Sequence, residues 1–240
     1  MFSATMLPEI RRLASKFLLS PVEVAVSPPA STAETVEEYL VEVSSRDKNK
    51  ALRTLLQNEQ VENALIFCNR KKDVDLLNRS LRRHKFDSAC LHGDMAQSAR
   101  EETLASFKSG TTKLLVATDV AGRGLDIQGL SHVFNFDVPL HAEDYVHRIG
   151  RTGRAGKTGK AFTLAWKEEQ KFLNAINRIT GQEIPMISVD QLQLEENGQS
   201  GKKNKPKQRR KIKKIEAALR RRKDSSTKSI KKDEIKRDWY

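Results

Sequence analysis

Residues 64–117 read ALIFCNRKKDVDLLNRSLRRHKFDSACLHGDMAQSAREETLASFKSGTTKLLVA, and their rhythm decides the fold. Three short apolar runs, at 64–68, 88–92 and 113–117, are the length of buried strands. Between the first two, Val74, Leu77 and Leu81 fall on one helical face, and a second helical stretch spans 98–108. Strand, helix, strand, helix, strand is the order of βαβ units, whose strands run parallel.

Outward from this stretch the pattern continues. Further strands are expected at 36–43, 132–136 and 161–165, with helices carrying Leu52, Leu55 and Leu56 before residue 64, and others near 142–148 and 168–179. The expected fold class is α/β, with a mostly parallel sheet and helices on both faces. Residues 7–18 read as a short helix with Pro8 near its start and Ile10, Leu13, Ala14 and Phe17 at helical spacing. The expected organisation is therefore a first segment at 1–19, a Pro- and Ser-rich linker at 20–35, the α/β domain at 36–180, a linker at 181–201 and a basic tail at 202–240.

The tail holds the charge. Of the formal net charge of +13, residues 202–240 contribute all, with 18 Lys or Arg against 5 Asp or Glu, while the first 201 residues carry 26 of each sign. Such a segment is too polar to bury a core and is expected to be largely disordered, with a weakly helical stretch near 212–222. By neutralising phosphates and releasing their counterions it would attract nucleic acid in a salt-sensitive, sequence-tolerant manner. No apolar run approaches the roughly 20 residues of a membrane helix, and Met1 leads into Phe-Ser-Ala-Thr without the features of a secretory signal. A cytoplasmic protein without membrane contact is expected. Cys68 and Cys90 each lie inside an apolar run and read as buried strand residues, with no metal role assigned to them.

Three loops carry candidate chemistry. His147-Arg148-Ile149-Gly150-Arg151-Thr152-Gly153-Arg154 combines glycines, which let a backbone turn or approach a ligand, with arginines, whose donor forks suit phosphate oxygens. Arg148, Arg151 and Arg154 recur every third residue and are expected to project toward one region; a solvated basic turn explains the spacing equally well. Thr118 to Asp126 follow a strand, at the end where parallel sheets bind ligands. Thr118 and nearby N–H groups suit phosphates and Asp126 a ribose hydroxyl, although an Asp-capped turn fits Asp126 too. Leu91-His92-Gly93-Asp94 follows another strand, with Gln97 and Arg100 on one side of the next helical turn. Gly156-Lys157-Thr158 ends like a phosphate-binding P-loop, but Arg151 stands where its first glycine belongs, and the segment leads into a strand. The glycine spacing fits no dinucleotide fingerprint either.

In order, these segments resemble the second RecA-like domain of superfamily 2 helicases, and within them the DEAD-box RNA helicases. Ser3-Ala4-Thr5 is similar to the family's SAT segment, Leu65-Ile66-Phe67 with Asn69 to motif IV, and Gln97 with Arg100 to the QxxR element. Thr118 to Asp126 resemble motif V, and His147 to Arg154 fit the HRxGRxxR pattern of motif VI. The basic tail is most similar to the bacterial RhlE type.

The resemblance implies a RecA-like three-layer domain in an ATP-dependent RNA helicase, in which ATP with Mg2+ binds between two such domains closed over RNA. Arg151 and Arg154 would be arginine fingers, with Gly124 and Asp126 also at the nucleotide. Gly93, Gln97, Arg100, Thr118, Arg123 and Arg148 would hold the RNA backbone. Ser3, Thr5 and His147 would couple the domains. Against the complete pattern, the 240 residues contain no G-x-x-x-x-G-K-[ST] and no Asp-Glu-Ala-Asp. The sequence thus reads as a helicase cut just inside the end of its first domain, needing that domain for ATP turnover. An ATP-independent RNA-binding adaptor or chaperone is the other reading.

Overall fold

Strands buried on both faces must be apolar throughout, whereas the helices that cover them need only one apolar stripe. The computed structural model, which describes residues 8–24, 35–122, 127, 129–153 and 158–188, follows that rule. Its elements are α1 (Pro8–Phe17), β1 (Val36–Glu42), α2 (Lys48–Asn58), β2 (Ala64–Phe67), α3 (Lys71–Arg83), β3 (Ser88–Leu91), α4 (Gln97–Lys108) and β4 (Leu114–Ala117). They continue with α5 (Asp119–Gly122), β5 (His132–Asn135), α6 (Ala142–Ile149), β6 (Gly159–Ala165), a 3-10 turn (Lys167–Glu169), α7 (Gln170–Thr180) and β7 (Met186–Ile187).

The seven strands form one sheet in the order β3-β4-β2-β5-β6-β1-β7, and every pairing among them is parallel. Alternate side chains of each strand enter two separate cores. Leu65, Phe67, Leu115, Ala117 and Val133 point to the face covered by α4, α6 and α7, where Phe107, Tyr145, Ile149, Leu173 and Ile176 meet them. Ala64, Ile66, Leu114, Val116 and Phe134 point to the other, covered by Leu52, Leu55 and Leu56 of α2 and Val74, Leu77 and Leu81 of α3. Both helix faces expected from the sequence are therefore buried, and the three-layer α/β architecture holds.

Two elements differ from the expectations. The two-residue β7 beside β1 is too short to show any alternation, and the single-turn α5 is too short to show helical periodicity. Helix α1 lies within its expected span, but Leu13 and Phe17 on it are 45% and 77% exposed, so its apolar face is uncovered among the described residues. Residues 212–222 lie outside the described residues.

Candidate functional site

Because all strands are parallel, their carboxyl ends share one edge, where β2 gives way to Asn69, β3 to His92 and Gly93, β4 to Thr118 and Asp119, and β5 to Asp137. Arg148 reaches that edge from α6, which runs back from it, because helical side chains lean toward their helix's N-terminus. Its guanidinium is 1% exposed. Nε and Nη2 donate to the two carboxylate oxygens of Asp119 at 2.6 and 2.7 Å. Nη2 also donates to Asn69 Oδ1 at 2.9 Å, and Nη1 to the Asp137 carbonyl at 2.7 Å and Asn135 Oδ1 at 3.4 Å. The Phe67 ring lies 5.1 Å from the guanidinium carbon.

All five N–H groups of Arg148 thus face protein acceptors, which is what a buried guanidinium requires. A phosphate would meet none of them in this conformation. Direct RNA contact, expected of Arg148 from the sequence, gives way here to an internal strut tying motifs IV, V and VI together. Asn69 is fixed in turn, its backbone N–H donating to Asp137 Oδ2 at 3.0 Å and its Nδ2 to the Val138 carbonyl at 2.9 Å. Lys48, itself buried, extends the cluster by pairing with Glu169 at 3.0 Å and Asp137 at 3.5 Å.

Of Gly93, Gln97 and Arg100, the structure holds Arg100 against the backbone beside Gly93. Leu91 pairs with Ala117, so the loop after β3 lies beside Thr118. Arg100 Nη1 donates to the His92 carbonyl at 3.1 Å, which fixes the backbone just before Gly93. Gly93 is exposed, and a Cβ there would meet only Lys71 Cε and Nζ at 3.7 and 3.8 Å. The backbone at this glycine is therefore open to a ligand. Gln97 is exposed and donates to Glu101 at 2.8 Å. Thr118 is turned inward, and its hydroxyl accepts from the Ala121 N–H at 3.5 Å, capping α5.

The motif VI turn lies at the opposite edge. Beyond α6 the chain folds back toward the amino ends of β1, β5 and β6, where Leu130 bridges Thr152 and Thr152 Oγ1 donates to the Leu130 carbonyl. Gly153 has φ +68°, and a Cβ on it would come within 2.5 Å of Val36 Cγ2. Thr35 Oγ1 donates to the Gly153 carbonyl. Arg151, half-buried, rides on this locked turn. The Arg148 side chain therefore reaches the carboxyl edge, while the backbone of Arg151 lies in the turn at the opposite edge, its carbonyl accepting from the Leu130 N–H at 3.4 Å. His147 Nδ1 is buried without a hydrogen-bond partner among the described residues. Ser3, Thr5, Arg123, Gly124, Asp126 and Arg154 lie outside the described residues.

Residues 47–156 match the family model described as the helicase conserved C-terminal domain. The chain is 33% identical to the Escherichia coli DEAD-box protein SrmB in its complex with the regulator of ribonuclease activity RraA, with a TM-score of 0.61 over 65% of this chain and 93% of that one. The chain belongs to the DEAD-box helicase family. It is also 42% identical over 199 residues to the DEAD-box ATP-dependent RNA helicase CshA of Bacillus licheniformis, a match that covers 83% of this chain and 41% of the relative. The chain thus spans about two fifths of the length of that curated relative. Dbp5 of Saccharomyces cerevisiae, in a structure bound to RNA and ADP BeF3, aligns with a TM-score of 0.74 and 28% identity over 82% of this chain and 52% of that one. These likenesses establish the RecA-like fold of DEAD-box C-terminal domains.

As a DEAD-box domain, the protein has partners for Arg148 that sequence reasoning did not assign. Asp119 stands inside the motif V segment, and an acid directly after Thr118 at a strand's carboxyl end is the sequence signal for it. Asp137 carries no such signal, since its contribution is made partly by its backbone carbonyl. No helix among the described residues is long and apolar enough to cross a membrane.

Proposed function

We propose that this chain supplies the arginine-bearing half of an ATP-dependent RNA helicase. The observation that carries the reading is the Leu130–Thr152 bridge, which locks the motif VI turn to the segment that follows motif V. Arg151 is carried on that turn, and Gly124 and Asp126 share its nucleotide-binding role. Arg151 and Arg154 act as fingers on the developing charge at the γ-phosphate, and Asp126 accepts from the ribose. Mg2+, held mainly by a P-loop-bearing RecA-like domain outside these 240 residues, would neutralise phosphate charge.

RNA is held at the carboxyl edge by Gly93, Gln97, Arg100 and Thr118, with Arg123 as a further RNA-binding residue, through contacts to the RNA backbone that do not read sequence. Arg148 acts there as a positioning residue through Asn69 and Asp119. Ser3, Thr5 and His147 couple this domain to its partner. A bacterial cytoplasm and the RhlE subtype fit this reading, with the tail adding sequence-tolerant affinity. Without a P-loop the 240 residues bind RNA weakly and do not turn over ATP.

The test supplies a purified P-loop-bearing first domain of a DEAD-box protein in trans and measures RNA-stimulated ATPase. Turnover should appear only with both parts and fall by roughly 10³-fold or more in the Arg151→Ala, Arg154→Ala variant. Robust ATPase from the 240 residues by themselves would overturn the proposal. The tail's charge favours a second reading, an ATP-independent RNA-binding adaptor; RNA annealing unaffected by that double variant or by ATP would favour it.

A further inference from the structure

At the β3 edge, three side chains with metal-binding atoms converge outside the nucleotide and RNA roles assigned above. Cys90 on β3 and His92 just beyond its end are two residues apart, and α3 brings Asp75 over them. His92 Nε2 lies 3.2 Å from Asp75 Oδ1. A carboxylate oxygen of Asp75, the Cys90 sulfur and a His92 ring nitrogen all lie within 4.8 Å of one another. His92 is buried and the other two are half-buried, so the cluster has a protein side and an open side.

We propose that Asp75, Cys90 and His92 form a zinc-ion site. A thiolate, an imidazole and a carboxylate together suit zinc, whereas magnesium and calcium take oxygen ligands. Zinc bond lengths of roughly 2.0–2.3 Å at a tetrahedral angle place ligand atoms about 3.3–3.7 Å apart. The Asp75–His92 separation is already near that range, and closing the rest of the cluster takes a shift of about an ångström. Three protein ligands leave a fourth position for water on the open side.

The supports are in place. Ser88 Oγ donates to Asn78 Oδ1 at 2.8 Å in a buried contact, fixing the turn of α3 that follows Asp75 against the start of β3. Arg100 holds the His92 carbonyl from the other direction. Zinc binding replaces the Cys90 thiol proton, which leaves to solvent, and takes the lone pair of a His92 ring nitrogen. The sequence expectation that the cysteines have no metal role rests on their number and on their place inside apolar runs. No zinc spacing links residues 75, 90 and 92, and only the packing of α3 on β3 unites them.

The test titrates the full 240-residue chain, reduced and in a non-chelating buffer, with Co2+ as a visible reporter and then Zn2+. One equivalent of Co2+ should give the bands of four-coordinate cobalt with a near-ultraviolet thiolate charge-transfer band, and Zn2+ should bleach both. Cys90→Ser should abolish the charge-transfer band, and Asp75→Asn and His92→Gln should each weaken binding by roughly tenfold or more. Circular dichroism checks that each variant keeps its fold. The proposal falls if excess Co2+ gives no such spectrum with the wild-type chain. It falls equally if the bands survive in folded Cys90→Ser or are lost only in Cys68→Ala.

Discussion

Arg148 and Asp119, 29 residues apart in the chain, form a two-pronged ion pair at 2.6 and 2.7 Å with the guanidinium almost wholly buried. The pair joins the helix of motif VI to the start of motif V. A buried charge is tolerable only while its partners remain, so the cost of breaking the pair exceeds its net contribution.

Arg148→Ala should accordingly destabilise the domain by about 3–5 kcal/mol, because it strands the Asp119 carboxylate and leaves Asn69 and the Asp137 carbonyl short of donors. Arg148→Lys, which keeps the charge but not the fork, should lose a large part of this. Urea unfolding of the two variants measures both effects; a loss within 0.5 kcal/mol for Arg148→Ala, about the scatter expected of a surface change, would contradict the strut role.

Gly153 is required by its backbone and by its surroundings. Its φ of +68° costs an L side chain roughly 1–2 kcal/mol, and the approach to Val36 Cγ2 and Thr35 leaves no room for a methyl group. Gly153→Ala should lower stability by about 2–4 kcal/mol. Gly110→Ala, at φ +77° with nothing within 4 Å of the added carbon, should show only the backbone part. Comparing the two thermal melts separates strain from crowding.

Glu59 ties α2's end to His132 and Lys160 at the amino ends of β5 and β6, lying 2.7 Å from Lys160 Nζ and 3.6 Å from His132 Nε2. Burial alone raises its pKa, but the attraction of His132 and Lys160 prevails and holds the carboxyl below its ordinary value of 4.5. The folded pKa is the lower one, so the stabilisation is present above the unfolded value and is lost as pH falls through the folded value. Glu59→Gln should cost about 1 kcal/mol at neutral pH and little once pH is well below 4.5. Denaturation midpoints across that range test the sign; a variant penalty that grows on acidification would refute it.

Deleting residues 202–240 removes the entire formal excess of positive charge. RNA affinity should fall, and the slope of log affinity against log salt should flatten by about 0.7 for each single-strand phosphate that the tail no longer neutralises. Filter binding or fluorescence anisotropy at several salt concentrations reads both. An unchanged slope would mean that the tail does not touch the RNA.

Much of this molecule was legible because its code is local. Val74, Leu77 and Leu81 announce a helix whichever helix it packs against, and short apolar runs announce buried strands. The family motifs are short strings whose order survives in the chain, so the RecA-like domain could be read from them. Element β7 was not legible, since two residues carry no period. Nor was the burial of Arg148, which its position in an arginine-rich segment argued against.

The α/β class, the covering faces of α2 and α3, the concentration of charge after residue 201 and the motifs of the helicase family are all written in the order of residues. It takes the folded chain to turn Arg148 inward to Asp119 while Arg151 sits at the opposite edge, and to bring Asp75 to Cys90 and His92. The physical reason is that local periodicity fixes how each segment buries its own apolar face. The strand order β3-β4-β2-β5-β6-β1-β7, which brings distant loops together, emerges only when all those faces are buried at once.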